Sequence, residues 1–117
     1  MSRKSRSDAR GDMLPGTMDI MILRALLLGP AHGHTIAHTI EQGSEDVLQV
    51  EHGSLYPALH RLEHQGVIAS FWGTSDNNRK AKYYRITPAG RRHLHYERSR
   101  WESLVAAVTR VLGPAGE

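Results

Sequence analysis

The chain has 117 residues, 39% hydrophobic and 23% charged, which suits one domain with a single core and excludes two. Fifteen Lys and Arg against 12 Asp and Glu leave a net charge of +3, with eight His besides; the balance favours an anionic partner without naming it. No cysteine means no disulfide, no thiolate zinc site and no cysteine nucleophile, and one Phe, two Trp and four Tyr are too few for a single-strand stacking platform.

The longest apolar stretch, Ile20 to Leu28, is interrupted by Arg24 and falls short of the about 20 residues that span a bilayer. The N-terminus is basic but lacks the apolar run of a secretory signal. A cytoplasmic protein without a membrane partner is expected.

Residues 1–16 read as a flexible arm, with Arg3, Lys4, Arg6 and Arg10 among Ser and Gly and no apolar periodicity. Thr17 is placed to cap a first helix over about 18–28, with Asp19 favourable in its first turn. That helix is apolar on nearly every face, so it needs cover on more than one side. In so small a chain the second cover falls to another subunit. Gly29-Pro30 stops it.

A second helix is expected over about 33–42, burying Ile36, Ala37 and Ile40 and leaving His34, His38 and Glu41 outside. Val47 to Val50 fits one short β-bridge. Ser54 fits the cap of a third helix in which Leu55, Ala58 or Leu59, and Leu62 form the core stripe. Pro57 is then tolerable as a first-turn residue, and Gly66 ends the helix. The period changes next. Residues 67–73 and 81–86 are β-branched and aromatic, and Thr74 to Asn78 between them is turn chemistry, which predicts a β-hairpin. Thr87-Pro88 predicts a capped helix start, and a long last helix over about 89–112 carries Leu94, Trp101, Leu104 or Val105, Val108 and Leu112 on one stripe. A stripe that long outruns a three-helix core.

Three helices followed by a hairpin make a winged helix-turn-helix, an α+β fold that is mainly α, with a long C-terminal dimerisation helix. In such folds the third helix enters the major groove and the wing reaches the flanking backbone or minor groove. Arg79, Lys80, Lys82 and Arg85 against Asp76 concentrate positive charge on the wing, as phosphate binding requires. On the third helix Ser54, Tyr56, Pro57, His60, Arg61 and His64 face away from the leucines and suit phosphates and base edges. Arg61 also suits a surface ion pair. The chain divides into an arm (1–16), a DNA-binding unit (17–88) and a dimerisation helix with tail (89–117).

The run Gly53-Ser54-Leu55-Tyr56-Pro57-Ala58-Leu59-His60-Arg61-Leu62-Glu63 resembles the recognition-helix signature of the PadR family of bacterial transcription regulators. Leu28-Gly29-Pro30-Ala31-His32-Gly33 is similar to that family's turn after the first helix. Trp72-Gly73 and the segment from Lys82 to Gly90 are similar to its wing and the entry to its last helix, so the likeness spans roughly residues 14–112. The single last helix resembles the compact branch of the family.

The resemblance implies a homodimeric regulator, usually a repressor, on a palindromic site in double-stranded DNA, nucleoid-associated when bound. It implies DNA contacts from Ser54, Tyr56, Pro57, His60, Arg61, Arg79, Lys80 and Lys82. It implies a dimer built on Leu23 and Leu27 of the first helix and Leu94, Trp101, Leu104, Val105, Val108 and Leu112 of the last. Some drug-sensing members stack flat aromatic compounds on a Trp of the last helix, and Trp101 matches its spacing from Tyr84-Arg85-Ile86-Thr87. A sensor of planar molecules or of metal is the alternative reading. The pairs His34/His38 and His60/His64 have chelating spacing, but neither finds a convincing third ligand, so no metal or other cofactor is expected. No nucleophile–base pair or phosphate loop suggests an enzyme.

Overall fold

A computed structural model describes residues 16–116. The elements run α1 (Thr17–Leu26), β1 (Ala31–His32), α2 (Gly33–Gly43), α3 (His52–His64), β2 (Ile68–Thr74), β3 (Lys80–Ile86) and α4 (Pro88–Leu112). The fold is mainly helical, with one small antiparallel sheet ordered β1-β3-β2. The basic arm lies outside the described residues, apart from Gly16.

α1 buries Ile22, Leu23, Ala25 and Leu26, and Met18, Ile20, Met21 and Leu27 pack partly against the same core. Its cap is Gly16 rather than Thr17, and no side chain bonds the free amides there. The helix stops at Leu26, earlier than expected, because the next amides reach back only three residues (Leu28 N to Ala25 O, Gly29 N to Leu26 O, both 3.2 Å) and tighten the turn. The following segment is where the short strand lies: Ala31 pairs with Tyr84 and His32 with Tyr83. Residues 47–50, expected to bridge, form no strand. Side chains hold that loop instead, with the Val50 amide donating to the Glu41 carboxylate (2.8 Å) and the Leu48 amide to the Ser44 hydroxyl (3.1 Å).

α2 buries Ile36, Ala37 and Ile40, as its spacing predicts. α3 buries Leu55, Ala58, Leu59 and Leu62. It begins two residues before Ser54, behind a Glu51 cap that makes no side-chain bond. Pro57 is therefore the sixth helical residue, not a first-turn one, and it removes the amide that would have reached the Gly53 carbonyl.

Val67 and Ile68 turn the chain into the hairpin, and the register places Ile68 opposite Ile86 and Ser70 opposite Tyr84. Thr87 then fixes the start of α4. Its hydroxyl accepts from the Gly90 amide (3.0 Å) and donates to the Gly66 carbonyl (2.8 Å), tying the helix entry to the end of α3. Gly90 packs against the Val67 backbone so closely that a Cβ would overlap the Val67 carbonyl oxygen.

Leu94 is 5% exposed and Leu23 fully buried, both in the core of their own chain. This corrects the expectation that they face a partner, because a side chain already packed on all sides has no surface to offer. Gly90 and Leu94 also join α4 to the core of α1–α3, so a boundary between residues 88 and 89 would cross packed structure. Beyond them α4 projects with Leu104, Val105, Val108, Val111 and Leu112 exposed. Among the described residues no helix is long and apolar enough to cross a membrane.

Gly90→Ala should cost about 2–3 kcal/mol of stability, since the added methyl must displace backbone. Urea denaturation followed by circular dichroism measures the shift in midpoint, and a change below about 0.5 kcal/mol would contradict the packing described.

Candidate nucleic-acid interface

Burial of Leu55, Leu59 and Leu62 turns the opposite face of α3 to solvent, and Ser54, Tyr56, Pro57, His60, Arg61 and His64 are all exposed there. The wing stands beside this face. Arg79 and Lys80 are exposed and Lys82 is half-buried, and together they line a cleft of about 590 Å³ with His32, His34, Tyr56, His60 and Tyr84. The structure thus brings three predicted cations next to two predicted helix residues. Ser54 and Pro57 lie on the same helix face but outside the cleft wall.

Arg61 has a different setting. Its guanidinium donates to the Asp19 carboxylate at 2.6 Å, so it ties α3 to α1 rather than standing free in front of the helix. Glu63 makes the corresponding tie to the wing. One of its carboxylate oxygens accepts from the Ser70 hydroxyl (2.6 Å), and the other lies 3.8 Å from Lys82 Nζ. The angle between α3 and the wing is held by these contacts as well as by apolar packing. Tyr84 lies behind them; burial above all, with Glu63 and Tyr56 adding to it, raises its phenol above the ordinary value. The ring beneath Lys82 is therefore a neutral phenol, with the ammonium 5.8 Å from its centre.

Tyr56 packs against α2 while lining the cleft beside the wing. Its ring lies over Gly33 at the start of α2, where a Cβ would come within 2.6 Å of the phenol oxygen, and edge-on to His52 at 5.7 Å. A side chain at Gly33 would displace the tyrosine ring from this position. With 41% of its surface exposed, Tyr56 is still partly open to solvent.

Sequence reasoning missed several contributors. His32 caps α2 by accepting from the Thr35 amide (3.4 Å) and meets the Tyr83 ring at 5.4 Å. His34 approaches His32 and His52, not its helical neighbour His38, with ring centres 6.4 and 6.3 Å apart. The i, i+4 spacing pointed along one helix, whereas the contacts run between elements. Among the described residues no three His, Asp or Glu side chains are grouped to hold a metal. Trp72, on the wing, is 63% exposed with Lys80 over its ring at 5.6 Å.

Two further hollows lie elsewhere. Trp101, 37% exposed, lines a groove of about 270 Å³ with Gly16, Thr17 and Ile20 of the α1 end and Glu97, Arg100 and Leu104 of α4. An apolar hollow of about 400 Å³ between α1 and α2 is bounded by Met21, Ala25, Leu28 and Ile40, with Arg24 and Thr39 at its edge.

The sequence profile of the transcriptional regulator PadR-like family matches residues 22–96. The chain belongs to the PadR-like family of transcriptional regulators. It is similar to an uncharacterized protein of Lysinibacillus sphaericus, with 34% identity over 85 residues, 73% of this chain and 78% of that one. Its fold is similar to a transcriptional regulator from Clostridium thermocellum, with TM-score 0.77, 28% identity, and 84% and 95% of the two chains covered. A PadR family regulator from Clostridium difficile matches with TM-score 0.72, 28% identity, and 84% and 100% covered. This PadR-like protein is accordingly a DNA-binding regulator and not an enzyme.

Gly33→Ala should displace Tyr56 and lower stability by about 1–2 kcal/mol. The double change Gly33→Ala with Tyr56→Ala should recover part of the loss attributable to the clash. Denaturant midpoints of the three variants decide it: strict additivity would mean that the two residues do not touch.

Proposed function

We propose that this regulator is a repressor that binds a palindromic promoter site as a homodimer, in the cytoplasm and at the nucleoid. The observation that carries the dimer is the α4 stripe. Trp101, Leu104, Val105, Val108 and Leu112 follow helical spacing and are 37–73% exposed among the described residues. An exposed apolar stripe of this kind marks an association surface. The hollow between α1 and α2 offers a complementary apolar seat on a second copy, and Leu27 at the end of α1 is half-buried. The interface we assign keeps Leu27 and the α4 stripe and omits Leu23 and Leu94.

DNA contacts are assigned to Ser54, Tyr56, Pro57 and His60 on α3 and to Arg79, Lys80 and Lys82 on the wing. Arg61 acts as the tie to Asp19. Two-fold symmetry then sets two α3 helices about 34–36 Å apart, one helical turn of DNA. The N-terminal arm adds four basic residues ahead of α1 in the sequence.

A second reading, favoured by the groove at Trp101, adds a planar effector stacked on the indole. It is compatible with the first, because the same tryptophan can anchor the dimer and line a pocket between α1 and α4.

A mobility shift on DNA upstream of the protein's own gene, against unrelated competitor, tests the main reading: equal affinity for both would sink sequence-specific binding. Changing Arg79, Lys80 and Lys82 to Ala should weaken binding at least about tenfold and reduce the salt slope by about one per lost phosphate contact. Leu104→Glu with Val108→Glu should yield monomers in sedimentation at low micromolar concentration, where the parent chain is dimeric; a monomeric parent would refute the interface.

A further inference from the structure

His32, His34 and His60 line the cleft between α2, α3 and the wing, across from Arg79, Lys80 and Lys82. His52 extends the set, its ring 6.3 Å from His34 and 5.7 Å from Tyr56. His34, His52 and His60 are exposed, while His32 is occupied in capping α2. Among the described residues lining the cleft there is no carboxylate. The charged and titratable groups around the imidazoles are therefore easily stated. The wing contributes three of its four cations, Arg79, Lys80 and Lys82, and the Tyr83 and Tyr84 phenols, with Asp76 in the turn between the cleft residues Ser75 and Asn77; α3 contributes Tyr56, with Glu51 at its cap; Glu63 is engaged by Ser70 and Lys82.

We propose that this imidazole cluster makes DNA binding proton-linked, so that His34, His52 and His60 hold phosphates more tightly when protonated. The inference rests on the cleft being the DNA-facing surface and specifies how that surface is regulated. Histidine is the side chain whose charge changes between about pH 5 and pH 8. A phosphate seated between the wing cations and the imidazoles supplies the countercharge that favours the protonated rings in the complex. A carboxylate in the cleft would have supplied it already in the free protein and cancelled the difference. A group that binds its proton more strongly in the complex makes affinity rise as pH falls, by up to about tenfold per pH unit for each proton taken up. The gain is complete below the free-state titration and is lost as pH rises through the bound-state one. Because phosphates carry the effect, it should appear on DNA of any sequence.

The test is a binding isotherm of the full chain on a random-sequence duplex of about 30 base pairs at fixed ionic strength. A rhodamine label is used, because fluorescein titrates in the same range. The parent chain should bind at least about tenfold more tightly at pH about 6 than at pH about 8. The triple variant His34→Gln, His52→Gln, His60→Gln should bind within about twofold at the two pH values, whatever its absolute affinity at pH about 8. His60→Gln alone, a change on an exposed helix face, should remove part of the pH dependence and keeps the test open if the triple variant folds poorly. A flat parent profile overturns the proposal, and so does a triple variant whose profile runs parallel to the parent. Failure to bind duplex DNA at any pH overturns the DNA-facing reading itself, and the proton linkage with it.

Discussion

Everything presented on α3 depends on the burial of Leu55, Leu59 and Leu62, each with no exposed surface. Three leucines at that spacing fix the rotation of the helix about its own axis, because any other rotation would bring one of them into water. Fully burying such a side chain is worth about 1.5–3 kcal/mol, more than most single polar contacts at the surface supply. The outward direction of Ser54, Tyr56, Pro57 and His60 follows from what lies behind them. α1 and α2 serve mainly as the wall against which α3 is set, through Ile22, Leu23, Ile36 and Ile40.

A fixed rotation does not yet place the wing, and here polar contacts join the apolar ones. Glu63 faces the hairpin and meets both of its strands, through Ser70 and Lys82. Arg61 meets Asp19 on the other flank of α3. Both pairs are partly exposed, so their worth lies in setting direction more than in stability. β1 adds a third constraint. By pairing with β3 it brings the start of α2, with His32 and Gly33, alongside the wing, and the cleft wall is completed from a segment more than 40 residues earlier in the chain.

Most of the architecture was legible from periodicity. The stripes on α2 and α3, the hairpin, and the Thr87-Pro88 start of α4 are local patterns, and each acts through neighbours within about two helical turns. The errors have a common source in distance along the chain. Ala31 and His32 have no strand signature of their own; they are extended because β3 has a free edge beside them. Residues 47–50 have the composition of a strand but no edge to pair with. Leu23 and Leu94 belong to apolar stripes, and a stripe does not tell which of its members meets the chain's own core and which a second copy. Arg61, offered to DNA with the other exposed residues of the third helix, is taken by a partner, Asp19, that lies 42 positions away in the chain. The histidines were weighed within single helices, and their grouping arises only when α2, α3 and the wing converge.

α4 is 25 residues long, about 37 Å of helix, anchored by Gly90 and Leu94 in the body of the protein and bordering the start of α1 as far as Trp101 and Leu104. The remainder is a helix of moderate length whose apolar side faces water, and isolated helices of that size are marginal. Whatever covers that side also supplies much of the free energy that keeps it helical. With the second copy of the proposed dimer as that cover, folding of the C-terminal half of α4 would be bimolecular, and its order would depend on concentration in a way that the core's would not. Dilution would then loosen the end of the molecule before it disturbed the reading helix.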